Sequence, residues 1–196
     1  MGTLMQRRGL PPEIVVGHDF RSYSKAVKDA VATGLAAAGC AVIDIGLALT
    51  PMAYFTRIDR GIAALAMVTA SHNPDGWTGL KLGLEQGSTL LPEDMAQLRD
   101  IAMTRAWRKR PGGRIETLTG MDSRYAASFA GLARPQRRLR VALACGNGTA
   151  GRFAPAILAA AGIDVVPLDC ELDNAFPNCD PNPEDIRMLS RLGAAV

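Results

Sequence analysis

Apolar and polar positions alternate in blocks along the whole chain. Short apolar runs that end in turn residues predict strands, namely EIVVGHD, CAVIDIG, GIAALAMVTA, GLKLG, LRVALACG and IDVVPLDC. Longer segments with apolar residues at helical spacing predict helices, namely SYSKAVKDAVATGLAAAG, TPMAYFTRID, PEDMAQLRDIAMTRAW, MDSRYAASFAGLAR, GRFAPAILAAAG and PEDIRMLSRL. Strands alternating with helices indicate an α/β fold, in which the continuously apolar strand GIAALAMV is covered by helices on both faces.

The alternation falls into two successive units. The basic, turn-rich segment RKRPGGR predicts the boundary, so that a first domain spans residues 1–115 and a second spans residues 116–196. The second unit has only two clear strands and is predicted to be an incomplete α/β domain. A chain of 196 residues is long enough to build a substantial core.

Composition excludes several classes of protein. Apolar residues make up 48% and charged residues 21% of the chain, as in an ordinary soluble domain. A net charge of +3 is too small to indicate nucleic acid or an acidic membrane surface as a partner. No apolar run is long enough for a membrane span, and the start lacks the features of a signal peptide, so we expect a cytoplasmic protein.

One basic cluster has the ingredients of a site for single-stranded nucleic acid, because an aromatic ring is interleaved with the cations. A solvated helix end is the favoured interpretation, since cations stabilise a helix C-terminus. Its members are Arg105, Trp107, Arg108, Lys109, Arg110 and Arg114.

The four cysteines carry no metal-binding signature. No two share a C-x-x-C spacing, and most lie in or beside apolar strands, where a thiol behaves as a small hydrophobic group. They are Cys40, Cys145, Cys170 and Cys179. We therefore expect free thiols, and neither a zinc site nor a disulfide framework.

The stretch VTASHNPDGWTGLKLG places Ser71 where a buried strand gives way to a loop. Ligands commonly bind at the carboxyl ends of strands in α/β sheets. His72, Asn73 and Lys81 could activate the serine or stabilise a phosphoryl group on it. An ordinary turn serine is the alternative, and the residues alone leave both open. A G-x-S-x-G elbow is absent here, which disfavours hydrolase chemistry.

A second motif, GNGTAG at residues 146–151, matches G-x-G-x-x-G between a strand and a helix. Asp169 follows near the end of the next strand, where an acid that binds a nucleotide ribose is expected. The motif therefore permits a dinucleotide-binding interpretation. A tight turn in which glycines allow close packing is the other interpretation.

Several segments together resemble the α-D-phosphohexomutases, in particular the bacterial phosphomannomutase/phosphoglucomutase type. TASHNP, followed by Lys81 ten positions after Ser71, matches the family's serine motif. The other matching segments occur in the family's order: VVGHDFRSYS, DIGLALTPMAYF, ACGNGTAG and PLDCELDNAFPNCDPNPED. The resemblance accounts for both the serine motif and GNGTAG, and it implies two consecutive phosphohexomutase-type domains with a mixed sheet between helices.

The resemblance also implies roles for single residues. Ser71 would carry a phosphoryl group, pass it to a hexose monophosphate and form a hexose bisphosphate intermediate. Lys81 would act as a general acid or base, His72 would assist proton transfer or stabilise charge, and Asn73 would contact substrate. An oxygen on phosphorylated Ser71 would be one ligand of a Mg²⁺ ion. Phosphoryl transfer depends mainly on such positioning and positive charge.

The sequence departs from the family pattern in places. His18 stands where the family has arginine, and no D-G-D-G-D-R metal loop occurs before the chain ends at RLGAAV. The resemblance therefore implies a fragment that contains most of domain 1, without its N-terminal segment, and most of domain 2, and that has little activity alone. A non-catalytic binding module is the alternative. GWTGLKLG leans toward the mannose and glucose enzymes, but neither the sugar nor the oligomeric state is determined.

Overall fold

The protein is described by a computed structural model that covers residues 1–85, 88–130 and 135–196. The helices are α1 (Gly2–Arg7), α2 (Ser24–Ala37), α3 (Thr50–Arg60), α4 (Pro92–Met103), α5 (Met121–Ala130), α6 (Ala150–Ala160) and α7 (Ile186–Ala194). The strands are β1 (Glu13–His18), β2 (Ala41–Leu47), β3 (Ala64–Val68), β4 (Leu80–Leu84), β5 (Ser88–Thr89), β6 (Arg114–Thr117), β7 (Arg140–Ala144) and β8 (Asp164–Leu168).

Six strands form one mixed sheet in the order β5-β4-β3-β1-β2-β6. Strands β1, β2, β3 and β6 run parallel, with β1 between β2 and β3 and with β6 at the edge of the sheet. Strands β4 and β5 extend the sheet in antiparallel fashion beyond β3. The predicted α/β fold with a mixed sheet between helices is confirmed.

Alternate residues of the central strands pack into two apolar layers, one on each face of the sheet. One layer joins Ile14 and Val16 to side chains of α1, α2 and α4. The opposite layer joins Val15 to α3 and to side chains from the second unit. All five residues of β3 are buried, as its apolar sequence predicts for a strand covered on both faces.

The second unit has a parallel two-stranded sheet, β7-β8, with α6 as the crossover between them. Phe153 of α6 is 6% exposed and joins the apolar layer formed by α3 of the first unit. Tyr125 of α5 packs edge-on against Phe55, with 5.3 Å between ring centroids. The two units therefore share an apolar contact instead of being joined only by a linker.

Three elements were not predicted. Helix α1 has only six residues, of which Leu4 and Met5 are fully buried. A segment of this length is too short to show a helical period in the sequence. Strand β5 has only two residues. All four residues of β6 are exposed, so its pairing with β2 creates the strand without any apolar alternation. Strand β6 also crosses the predicted boundary between residues 115 and 116 and belongs to the first sheet.

Candidate active site

The loops that follow β1 and β3 leave the same edge of the sheet, because His18 lies opposite Val68 in parallel register. The N–H of Asp19 donates a hydrogen bond of 2.9 Å to the Val68 carbonyl oxygen. Residues 19–24 and 70–75 therefore lie side by side at the carboxyl ends of these strands. This edge is the usual position for a ligand in an α/β sheet.

Asp19 joins the two loops through both of its carboxylate oxygens. Oδ1 accepts hydrogen bonds from the Arg21 N–H, at 3.2 Å, and from the Ser24 hydroxyl. Oδ2 accepts from Arg21 Nη1 at 2.8 Å and from the Ala70 N–H at 3.1 Å. Asp19 and Arg21 are each only 4% exposed, so they form a buried ion pair that fixes the residue before Ser71.

Arg21 continues this network to the far side of the serine. Its Nη2 donates to the carbonyl oxygen of Asn73 at 2.5 Å. Its guanidinium also lies 5.6 Å from the ring centroid of Phe176, a residue of the second unit. Phe20 meets the same ring edge-on at 5.9 Å. Arg21 thus contacts the serine loop and a loop from the other unit at once.

Ser71 is exposed and has a left-handed backbone, with φ of +56°. A non-glycine residue in this region is strained, and such residues are concentrated at functional sites. Its N–H donates to the Thr69 hydroxyl oxygen at 3.0 Å. Among the described residues, the Ser71 side chain has no hydrogen-bond partner, which leaves its oxygen accessible from solvent.

His72 is also exposed, whereas the Asn73 side chain is turned back into the loop. Asn73 Nδ2 and its backbone N–H both donate to the Ala70 carbonyl oxygen, at 2.8 and 3.1 Å. Asn73 therefore closes a turn around Ser71 in this structure. Its predicted contact with substrate stays a prediction.

Lys81 reaches the same place through the β3–β4 hairpin, where it lies opposite Met67. The hairpin extends to the serine loop, since the Thr69 N–H donates to the Gly79 carbonyl oxygen at 3.1 Å. Lys81 forms no ion pair with any residue that the structure describes. An exposed lysine without a carboxylate partner is available to an anionic ligand.

Tyr23 fixes the loop between Ser71 and Lys81, a role that the sequence did not suggest. Its hydroxyl donates to the Trp77 carbonyl oxygen at 2.7 Å and accepts from the Gly76 N–H at 3.1 Å. Burial raises the pKa of the Tyr23 phenol, and Asp75 raises it further. The phenol therefore keeps its proton at neutral pH and remains a donor.

Ser71, His72 and Lys81 line one cavity of about 360 Å³ between the two units. The second unit contributes residues of the GNGTAG turn to the same cavity, including Gly148 and Thr149. Thr149 Oγ1 accepts a hydrogen bond from the Phe20 N–H at 3.2 Å, which ties this turn to the first unit. The two motifs that the sequence singled out thus face each other, although they lie far apart in the chain.

Asn147 joins the GNGTAG turn to the segment that follows β8. Asn147 has φ of +56°, its Nδ2 donates to the Glu171 carbonyl oxygen at 3.0 Å, and its Oδ1 accepts from Asn178 at 3.0 Å. Asp169 Oδ1 accepts from Asn178 and from Arg191, each at 2.7 Å. The carboxylate that a dinucleotide-binding site would use for ribose is therefore already engaged by Asn178 and Arg191.

Gly151 shows why small residues are needed in this turn. A Cβ atom built there would lie 1.9 Å from the carbonyl oxygen of Cys170, so only glycine fits. This close approach of α6 to the end of β8 favours the packing interpretation of the motif.

The described residues do not by themselves fit a Mg²⁺ ion. They contain no cluster of three or more His, Cys, Asp or Glu side chains that could hold a metal. Asp19 lies beside the serine loop, and both of its oxygens already accept hydrogen bonds. Ser71 is the one predicted metal ligand, and it offers a single oxygen.

The remaining predicted features lie away from this cavity. The basic cluster around Trp107 is exposed and connects α4 to β6. Arg108 and Arg110 are held there by backbone hydrogen bonds to Thr3, at 2.9 Å, and Ala37, at 3.0 Å. In the part of the chain that the structure describes, every helix is too short or too polar to cross a bilayer.

Two family models match successive parts of the chain. Residues 1–109 match the phosphoglucomutase/phosphomannomutase alpha/beta/alpha domain I, and residues 123–196 match domain II. The chain belongs to the phosphoglucomutase/phosphomannomutase family. The predicted resemblance of the chain to the phosphomannomutase/phosphoglucomutase type is therefore confirmed.

Curated relatives agree with this membership of the mutase family. The chain is 35% identical over 94% of its length to a phosphomannomutase/phosphoglucomutase of Pseudomonas putida. It is 31% identical over 87% of its length to a probable phosphoglucosamine mutase of Methanothermobacter thermautotrophicus, and 30% identical over 93% to a phosphoglucomutase of Neisseria gonorrhoeae. It spans only 39%, 38% and 40% of these three proteins.

Solved structures of the mutase family have the same fold. A phosphoglucomutase/phosphomannomutase family protein from Burkholderia thailandensis superposes with a TM-score of 0.89 at 26% identity, over 99% of this chain and 43% of that one. A putative phosphomannomutase from Thermus thermophilus gives a TM-score of 0.74 at 25% identity, over 99% of this chain and 44% of that one. The fold of two consecutive mutase domains is thus shared across the whole chain.

Proposed function

We propose that this chain supplies the phosphoserine loop of a phosphohexomutase, an isomerase that moves a phosphoryl group between hydroxyls of a hexose phosphate. The substrates would be hexose monophosphates of the mannose or glucose type, with a hexose bisphosphate as intermediate. The observation that carries the proposal is the cavity in which exposed Ser71, His72 and Lys81 face the GNGTAG turn. The division into a first domain over residues 1–115 and a second over 116–196 is part of the proposal.

In the proposed step, a sugar hydroxyl attacks the phosphorus atom on phosphorylated Ser71. The bond from phosphorus to the serine oxygen breaks as the bond to the sugar oxygen forms. The sugar hydroxyl loses a proton, and the serine oxygen gains one. The bisphosphate then gives the other phosphoryl group, the one that the substrate already carried, to the Ser71 oxygen. This second transfer restores phosphorylated Ser71 and completes the isomerisation.

Each neighbouring residue has a proposed task in this step. Lys81 transfers the proton or neutralises the equatorial oxygens, because it is a cation on the same cavity without an ion-pair partner among the described residues. His72 assists with charge or with the proton. Asn73 holds the turn and contacts the substrate. Asp19 and Arg21 position the loop, since Arg21 Nη1 donates to Asp19 and Nη2 donates to the Asn73 carbonyl oxygen.

A divalent cation belongs to the proposal because the family generally needs a metal ion. Mg²⁺ would be held in part by an oxygen on phosphorylated Ser71 and would neutralise phosphoryl charge when bound. Further ligands would have to come from groups other than those described around Ser71. We propose the cytoplasm as the location of the protein, and neither nucleic acid nor membrane as a partner.

The test uses the full-length protein that contains this chain, treated with labelled hexose 1,6-bisphosphate. Peptide mass spectrometry should find the phosphoryl group on Ser71, and Ser71→Ala should abolish both labelling and mutase turnover. Ser22→Ala is the matched control, because Ser22 is exposed on the adjacent loop and should keep both properties. Label on another residue, together with an active Ser71→Ala variant, would contradict the proposal.

Activity of the 196-residue chain alone is a separate question. We propose that it turns over little hexose phosphate, because the curated relatives that carry these names are more than twice as long. Robust turnover by the purified chain would contradict this part and leave the role of Ser71 intact.

A further inference from the structure

Two half-buried cysteines, Cys145 and Cys170, lie just beyond the ends of β7 and β8. Cys145 lines the cavity between the two units. Its N–H donates to the Leu168 carbonyl oxygen at 3.0 Å, so it continues the pairing of the two strands by one residue. Cys40 and Cys179, by contrast, are only 1% and 2% exposed. The two half-buried thiols are therefore the accessible ones of the four.

A backbone irregularity turns the Cys170 side chain toward the strand that precedes Cys145. In a regular strand, Cys170 would face the same side as Leu168, and Cys145 would face the opposite side. Asp169, between Leu168 and Cys170, has φ of +49°, which breaks this alternation. Cys170 Sγ then lies 3.5 Å from the Leu168 carbonyl oxygen and 3.7 Å from that of Leu143, on the neighbouring strand. The Cys145 N–H donates to the same Leu168 carbonyl oxygen, so Cys170 lies beside Cys145.

We propose that Cys145 and Cys170 form a dithiol modification site that reacts with small-molecule disulfides and closes into an intramolecular disulfide. Neighbouring parallel strands lie about 4.8 Å apart. A disulfide needs Cα atoms about 4.4–6.8 Å apart, and Cys170 directly follows Asp169, the residue that lies opposite Cys145 when the strand register is continued. The shared contact with the Leu168 carbonyl oxygen distinguishes this pair from Cys40, which lies in the apolar layer of the first unit.

The reaction balances as two successive exchanges. The Cys170 thiolate attacks one sulfur of the small disulfide and releases one thiolate, leaving a mixed disulfide on Cys170. Cys145 then loses its proton, attacks the Cys170 sulfur and releases the second thiolate. The protein loses two hydrogen atoms, and the small disulfide is reduced to two thiols.

The surroundings control the speed of this reaction and its consequence. Burial, together with Cys170, raises the pKa of the Cys145 thiol to about 12. Because the thiolate is the reactive form, closure is slow at neutral pH and accelerates as the pH rises. Because Cys145 directly precedes Gly146, the new disulfide fixes the start of the GNGTAG turn, whose Thr149 contacts the first unit. The site does not depend on mutase activity.

The test treats the folded 196-residue chain with oxidised glutathione at pH 7 and pH 9. Free thiols are then alkylated, and the peptides are mapped without reduction. We expect a Cys145–Cys170 linked peptide that forms several-fold faster at pH 9. Neither Cys145→Ser nor Cys170→Ser should yield it, whereas the matched variant Cys40→Ser should yield it as the wild type does.

If a variant fails to fold, the peptide map of the wild-type chain still tests the Cys145–Cys170 pairing. Under native conditions Cys40 and Cys179 should stay unmodified, and in concentrated urea all four thiols should react alike. Stable mixed disulfides at Cys145 and Cys170 without closure would overturn the proposal. A link to Cys179 would do the same, because Cys179 Sγ lies 3.6 Å from the position that a Cβ on Gly146 would occupy and is the nearest competitor.

Discussion

Replacement of Asp19 by Asn should strongly destabilise the protein. Oδ1 and Oδ2 of Asp19 each accept two hydrogen bonds, and Oδ2 accepts one of its two from the buried Arg21 guanidinium. In Asp19→Asn an NH₂ group replaces one of these oxygens. Whichever oxygen is replaced, the two groups that donated to it then face the NH₂ group, which is itself a donor. The Arg21 cation also loses its ionised partner.

The size of the effect follows from burial. Both partners of the ion pair are 4% exposed, so water cannot replace the missing carboxylate charge. Removing one partner of a buried ion pair costs about 3–5 kcal/mol. With a slope of about 2–3 kcal/mol per M urea, the unfolding midpoint should fall by about 1–2.5 M.

The assay is urea unfolding followed by circular dichroism and by tryptophan fluorescence. Asp100→Asn is the matched control, since Asp100 pairs with Arg99 on the surface at 66% exposure and should change stability by less than about 0.5 kcal/mol. Adding Arg21→Met to Asp19→Asn should recover part of the loss, because it removes the unpaired buried charge. A midpoint for Asp19→Asn within error of Asp100→Asn would refute the reasoning.

Three further predictions concern single positions. The Ser71→Gly variant should have a free energy of unfolding about 1 kcal/mol higher than that of Ser71→Ala, because glycine adopts the left-handed backbone without strain. Thermal melts of the two variants measure this difference, and equal stabilities would contradict the prediction. Gly151→Ala should lower the melting temperature sharply, since its Cβ would lie 1.9 Å from a carbonyl oxygen. Gly34→Ala should raise the melting temperature, because Gly34 lies in α2 with open space around it. The opposite order of melting temperatures would refute the packing argument. The Arg187 side chain lowers the pKa of the Asp185 carboxyl to about 2, so this pairing stabilises the fold fully above about pH 4 and is lost as the pH falls toward 2. A carboxyl NMR titration of Asp185 with a midpoint near the ordinary 3.8 would contradict that assignment.

The local pattern of the sequence determined most of the elements and one half of the site. Strand β3 and the spacing from Ser71 to Lys81 were readable because a hairpin is a local structure: residues close in sequence must pair once the turn forms. The turn chemistry of GNGTAG was readable for the same reason. The family motifs then connected these local features to phosphoryl transfer.

Only the tertiary structure decided which distant segments meet. The order of strands places the Asp19 loop beside Ser71, and the docking of Phe153 on α3 brings the GNGTAG turn to the same cavity. Exposed strand β6 exists because β2 offers it a partner, and the cysteine pair exists because Asp169 interrupts the strand alternation. Hydrophobic periodicity reports whether a residue is buried, but it does not report against which residue, so these contacts could not be deduced from the sequence alone.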